Sequence, residues 1–449
     1  PMNKHLLLCI GAALLMCCPE AVAQNQGHDH TAPDMETIIR CGTPMLPEEF
    51  EIWLAEKMAE RQADPNAPQS VLYTIPTIVH VIHNGEAVGS GTNISQNKVN
   101  SQFDILNEDF RKTNTDWTNT PSAWQSLVAD CEINFCKAMR DPQGNALSEP
   151  GIHRVNRNTM GWTAPPYSSS YINSTIKPAT IWDPTKYLNI WVMNLSGGIL
   201  GYATFPAGSG LTGLSGPFGT STTDGVVILY TAFGDIAPLL AQYNKGRTAT
   251  HEIGHWLGLR HIWGDDGNGN GACSNTECSG TDYVTDTPNQ ADAHFGCIAS
   301  SSTYHANVCT GTTGEMTMNY MDYTDDACMY MFTAGQKARM QTCMANGTYR
   351  APLATSNGCV PVSVNDIDNK NRFDLFPNPT SGMLTIKPLD QANGVNVKIY
   401  NTIGEVIYEL KIANPGDIQI DLSAFGNGVY YVELSNDAGK STQKVTVAK

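Results

Sequence analysis

Apolar positions along the chain change their period several times, and each change marks an element. After Lys4 and His5 an unbroken apolar run covers 6–16 and gives way to Ala21-Val22-Ala23. That layout predicts a secretory signal peptide over 1–23, because the run is too short to span a bilayer. From 24 to 69 polar residues dominate, apart from a helical stretch near 47–61 and a loose tail at 63–69. Too small to bury a core of its own, 24–69 reads as a propeptide ending in an exposed linker.

From 70 onward the pattern is that of a folded domain. The stretch 75–82 is rich in β-branched residues and predicts a buried strand. Ile94, Val99, Phe103, Leu106 and Phe110 recur near helical spacing, with Ser95 placed to cap the helix. Further strands are expected at 133–138, 188–195 and 226–231, and a second long helix from about Arg247. The stretch 200–205 reads as an edge strand, able to offer its backbone to an extended peptide. Together these predict an α+β catalytic domain over 70–350: a twisted mixed sheet with two long helices, then an irregular C-terminal subdomain stapled by disulfides. Beyond a linker at 351–370 the period drops to two. Short strands at 383–387, 395–400, 406–412, 418–422, 429–435 and 443–447, with Gly and Asn between them, predict a small all-β sandwich over 371–449.

Charge and cysteine usage narrow the class. A formal net charge of -16 argues against nucleic acid or an anionic membrane as partner. Cys9, Cys17 and Cys18 belong to the signal segment, and Cys41 stands alone in the propeptide. Nine cysteines from Cys131 to Cys359 remain, an odd number, and in an oxidising compartment most of them pair. Spacing alone does not say how.

The chemistry is concentrated in His251-Glu252-Ile-Gly-His255-Trp-Leu-Gly258-Leu-Arg-His261. Four residues apart on a helix, His251 and His255 share a face and can share a metal. Gly258 can take the positive φ that ends the helix and brings in His261 as third ligand. Three imidazoles leave one tetrahedral position open, as catalytic rather than structural zinc requires. Glu252 lies where its carboxylate takes a proton from water instead of binding the metal. An intact Glu252 also argues against the competing class, an adhesin or scaffold that uses zinc only structurally.

Three other features bear on the site. In Asn319-Tyr-Met321-Asp-Tyr323, downstream of the histidines, the Tyr323 phenol can donate to a developing oxyanion. Cys41, between Arg40 and Gly42, can supply a thiolate to the open zinc position and hold the precursor latent, or pair with the odd cysteine downstream. Asp282 and Asp286, with the acidic glycine-rich loop after Trp263, are candidate calcium ligands.

Residues 251–261, 319–323, Asp325-Asp-Ala-Cys328 and the run from Phe332 to Met340 together resemble the pappalysin (cytophagalysin) family of metzincin metallopeptidases. The resemblance implies one catalytic zinc on His251, His255 and His261, Glu252 as general base, Met321 as the Met-turn residue and Tyr323 as the tyrosine that steadies the intermediate. Arg40-Cys41-Gly42 resembles the cysteine switch of its bacterial members, which implies a zymogen. Also implied are calcium near the cleft and crossed disulfides, Cys273–Cys309 and Cys297–Cys328. Asp326 would sit at the bottom of the pocket for the residue after the cut and select Arg or Lys. From Phe-Pro-Asn-Pro through Gly428-Val-Tyr-Tyr431 the last segment resembles the C-terminal sorting domain of type IX secretion. The expected protein is a secreted or surface-attached zinc endopeptidase, exported through the periplasm by that machinery. Its partners are protein or peptide substrates, with no nucleic acid and no transmembrane anchor.

Overall fold

The computed structural model describes residues 38–65, 71–208, 211, 216–264, 278, 280–298, 309, 314–361, 373–388, 394–402, 404–413, 416–436 and 439–449. The expected signal peptide, the acids Asp265 and Asp266, Cys273 and residues 362–370 of the expected linker lie outside them.

The N-terminal segment crosses the domain that follows it and then forms helix α1, Glu48–Ala63. Three acids fill the first turn of α1, where they complement the positive end of the helix dipole. Phe50, Trp53 and Leu54 fall on one face and are buried with Phe205, Leu211 and Cys343 of the domain beneath. The helical stretch expected near 47–61 is therefore present and holds the segment to the domain by a packed apolar face.

The domain is built on a six-stranded sheet: β1 (Tyr73–His83), β2 (Ile133–Lys137), β3 (Ile152–Asn156), β4 (Leu188–Met193), β5 (Gly201–Ala203) and β6 (Val226–Leu229). Its order is β2-β1-β4-β6-β5, with β3 also on β1. The first half of β1 pairs with β2 and its second half with β3, so both fit along one edge. All pairings are parallel except β5 on β6, which runs antiparallel and forms the opposite edge. β1 is buried almost throughout, as a central strand covered on both faces must be.

Helix α2, Gln96–Phe110, starts at Ser95, whose hydroxyl accepts from Lys98 N. It lays Val99, Phe103, Leu106 and Phe110 on Val79, Val81, Ile190 and Ile228 of the sheet, together with Ala249, Ile253 and Trp256 of helix α3, Arg247–Trp256. The other sheet face carries Ile82, Trp191, Met193 and Val227 against Ile172 and Ile176. Beyond the site the chain is less irregular than its sequence suggests. Helix α4, Ala334–Asn346, opens with a reciprocal capping box between Thr333 and Gln336 and packs against α1.

The C-terminal region is a sandwich of two antiparallel sheets. β7 (Phe373–Phe376), β8 (Met383–Pro388) and β11 (Ile418–Asp421) form one; β9 (Val395–Tyr400), β10 (Val406–Ile412), β12 (Gly428–Asn436) and β13 (Gly439–Val447) form the other. Alternate residues, among them Leu384, Ile386, Val397, Ile399, Val432 and Leu434, fill its core. No helix among the described residues is long and apolar enough to cross a membrane.

Candidate active site

Helix α3 brings His251 and His255 to one face. The chain then turns at Gly258, where φ is +91° and a Cβ would meet the Cys343 sulfur at 2.5 Å, so only glycine fits. That turn returns His261 to the same point: its Nε2 and that of His251 each lie 3.1 Å from His255 Nε2. The Nδ1 atoms of His251 and His255 face the carbonyls of Tyr320 (2.7 Å) and Leu259 (2.8 Å). A carbonyl only accepts, so each Nδ1 carries the proton and each Nε2 presents a lone pair to the shared centre. Burial and the neighbouring histidines also hold His251 neutral. Converging lone pairs repel unless a cation lies between them, and the donor set suits zinc. The Cys41 sulfur completes the group, all four ligand atoms lying within 4.8 Å of one another.

Glu252 is fully buried, and burial lifts its carboxyl to about 7 against the pull of Thr43 and Cys41. Its Oε2 accepts from the Thr43 hydroxyl at 2.9 Å and lies 3.4 Å from the Cys41 sulfur, while Oε1 has no partner. Gly201 lets β5 pass close, since a Cβ there would stand 2.9 Å from Glu252 Cγ. The N-terminal segment lies along this edge in the parallel sense, with Gly42 N on Gly201 O, Leu200 N on Ile39 O and Ile39 N on Gly198 O. Sequence reasoning missed Thr43. Its hydroxyl accepts from Ala203 N at 2.9 Å as it donates to Glu252, a role that depends on the docked path and leaves no local pattern.

Arg40 is buried beside this centre. It donates to Asp326 Oδ1 at 3.3 Å and to the Thr248 hydroxyl, and stacks 4.8 Å over the Tyr243 ring. The other Asp326 oxygen accepts from Lys245 N and Arg247 N, at the start of α3. Asp326 thus faces a guanidinium directly.

Met321 lies under α3: a Cβ on Gly254 would meet its sulfur at 2.5 Å. The Tyr323 hydroxyl is 3.0 Å from His261 Nε2, and Trp263 stacks flat on His261 at 4.4 Å. The turn carrying Met321 and Tyr323 is braced by His294, held between Asp322 (2.8 Å) and Glu315 (3.0 Å).

The disulfide pairing corrects one expectation. Cys309 bonds Cys278, not Cys273, and Cys297 bonds Cys328. The two bridges still cross, each spanning 31 residues, but the loops bring Cys278 within 5.4 Å (Cα–Cα) of Cys309. A third joins Cys136 to Cys359. Cys131 and Cys343 are free and buried as core residues, and Cys41 is free at the histidine centre rather than paired downstream. Asp282 and Asp286 are not gathered into a ligand set among the described residues. Asp282 accepts from Thr287 and Val284 N, and Asp286 from Thr333 and Gly335 N at the start of α4.

Sheet, helix bearing two facing histidines, returning third histidine and methionine turn define the class: a metalloprotease of metzincin type. Comparison narrows it. Residues 170–345 match the peptidase M43 family, pregnancy-associated plasma protein-A, and 374–448 match a secretion system C-terminal sorting domain. An extracellular metalloprotease of Pyricularia oryzae is 31% identical over 69% of this chain and 90% of its own length. That of Colletotrichum graminicola is 32% identical over 67% and 88%. Among solved structures, mature mirolysin of Tannerella forsythia with a cleaved peptide is 40% identical, with TM-score 0.54, covering 64% of this chain and 97% of its own. A variant of T. forsythia promirolysin is 36% identical, with TM-score 0.58, over 72% and 99%. The chain belongs to the pappalysin family of metalloproteases. It is a metallopeptidase that is secreted or attached to the cell surface.

Proposed function

We propose that this protein is a zinc endopeptidase made as a latent zymogen, with residues 24–69 as its propeptide and 70–350 as its catalytic domain. The observation that carries the reading is the convergence of three imidazole Nε2 atoms with the Cys41 sulfur, beside a buried carboxylate at Glu252. His251, His255 and His261 would hold zinc, which when bound would supply a Lewis acid for activating water and polarising the scissile carbonyl. Glu252 takes the proton from the attacking water and passes it to the leaving amine. The Tyr323 hydroxyl, beside His261, donates to the oxyanion as charge develops. In the precursor the Cys41 sulfur takes the position that water needs, and Thr43 holds Glu252.

Arg40 supports a preference for Arg or Lys after the cut. It fills a pocket whose acid is Asp326 and whose wall is Tyr243, as a substrate side chain would after propeptide release. Calcium belongs to the same reading through the acidic loop after Trp263; metal analysis of the purified enzyme tests it. Type IX export rests on the sorting domain.

Glu252→Ala should retain zinc yet lose cleavage of casein by a factor of at least about 100. Retained proteolysis in that variant rejects Glu252 as the base. Cleavage-site mapping in a peptide library tests the pocket: apolar residues after the cut would reject the basic preference.

A further inference from the structure

Resting on the zymogen reading, we infer that the surface under α1 is a second binding site of the mature enzyme. It is a carboxylate clamp set in an apolar groove. Its ligand is an amphipathic helical peptide with one acid inside its apolar face, in the first instance the chain's own segment 44–64 after release.

Glu51 projects from the buried face of α1, a place where an acid is costly without partners. Two arginines meet it. Arg260 Nε donates to Oε1 at 2.7 Å, and Arg339 donates through Nη1 to Oε2 (2.7 Å) and through Nη2 to Oε1 (3.1 Å). All three side chains are at least nine-tenths buried. Around them Phe50, Trp53 and Leu54 fill the groove formed with Phe205, Leu211 and Cys343.

Among the described residues, subtracting the segment leaves the two guanidiniums with no hydrogen-bonded carboxylate, Asp282 being the one acid whose charge still acts on Arg339. Arg260 loses Glu51 and the Leu46 carbonyl and keeps the Tyr283 ring, 5.1 Å away. Among the described residues Arg339 keeps one hydrogen bond, to the Gly258 carbonyl, and its Nε has no hydrogen-bond partner even now. Two like charges fixed side by side at the edge of an apolar groove favour an oxyanion delivered by an apolar helix. Nothing in peptide hydrolysis requires either arginine. The clamp also adjoins the zinc site, because Arg260 precedes His261 and Arg339 grips the turn at Gly258.

The test uses the full chain cut within 64–70, freed of its N-terminal fragment and loaded with zinc. A labelled synthetic peptide of residues 44–64 omits Cys41, so it makes no zinc contact. It should bind saturably by fluorescence anisotropy, and the Glu51→Gln peptide should bind on the order of 30-fold more weakly or worse. Arg260→Gln in the enzyme should narrow the gap between the two peptides several-fold without closing it, because Arg339 still meets both carboxylate oxygens. Equal binding of the two peptides to wild-type enzyme, or binding of neither, overturns the proposal. Where Arg260→Gln fails to fold, Arg339→Gln serves, and the peptide pair alone still decides. Latency is read separately: an uncut precursor that cleaves casein sinks the zymogen reading and leaves the peptide result intact.

Discussion

Thr43 sets one hydroxyl between two partners, accepting from the amide of Ala203 and donating to Glu252. Removing it frees the carboxylate while leaving Cys41 and the docked path in place. Thr43→Val should therefore leak, with peptidase activity of the uncut precursor rising several-fold, and Cys41→Ala should leak more and mature earlier. A Cys41→Ala precursor as silent as wild type would reject the thiol as the blocking ligand. His294 offers a test of the scaffold. Burial acts to lower its pKa, but Asp322 and Glu315 outweigh that and raise it to about 10, against an unfolded value of about 6.5. A raised pKa in the fold means the contribution is whole below pH ~6.5 and fades as pH climbs through about 10. The melting temperature should thus fall more steeply from pH 7 to 10 in wild type than in His294→Gln. Parallel curves would show that the charge of His294 adds nothing.

Among the elements, α3 was legible because its chemistry and its geometry share one spacing: ligands four apart, then a glycine that must turn. The long β1 was legible from its β-branched run, α2 from its helical spacing, and the sandwich strands from alternation. Helix α4 was not, because its buried face includes Gln336, Arg339, Gln341 and Thr342, which no apolar stripe reveals. Its start was nonetheless written in Thr333-x-x-Gln336, a reciprocal cap. Thr333→Ala should cost about 1 kcal/mol, seen as a lower denaturation midpoint with unchanged slope; no shift would mean Asp286 supplies the cap instead. β3 was missed because five residues with His153 and Arg154 only half-buried show no clean period. Disulfide partners were illegible for a different reason: loop paths, not spacings, decide which sulfurs meet.

At the scale of the molecule, Cys136–Cys359 ties the strand at one sheet edge to the segment that follows helix α4, 223 residues later. Met139 N on Gly358 O and Arg140 on the Val360 and Pro361 carbonyls lie beside the same closure. Replacing both cysteines by alanine should lower stability by about 2–5 kcal/mol, measured by denaturant unfolding. The crossed pair has another consequence. Cys278–Cys309 and Cys297–Cys328 overlap in sequence, so any single backbone break from 279 to 327 is bridged by at least one of them, and by Cys136–Cys359 as well. An enzyme released among proteases, its own copies included, can be nicked there and still migrate as one species until it is reduced.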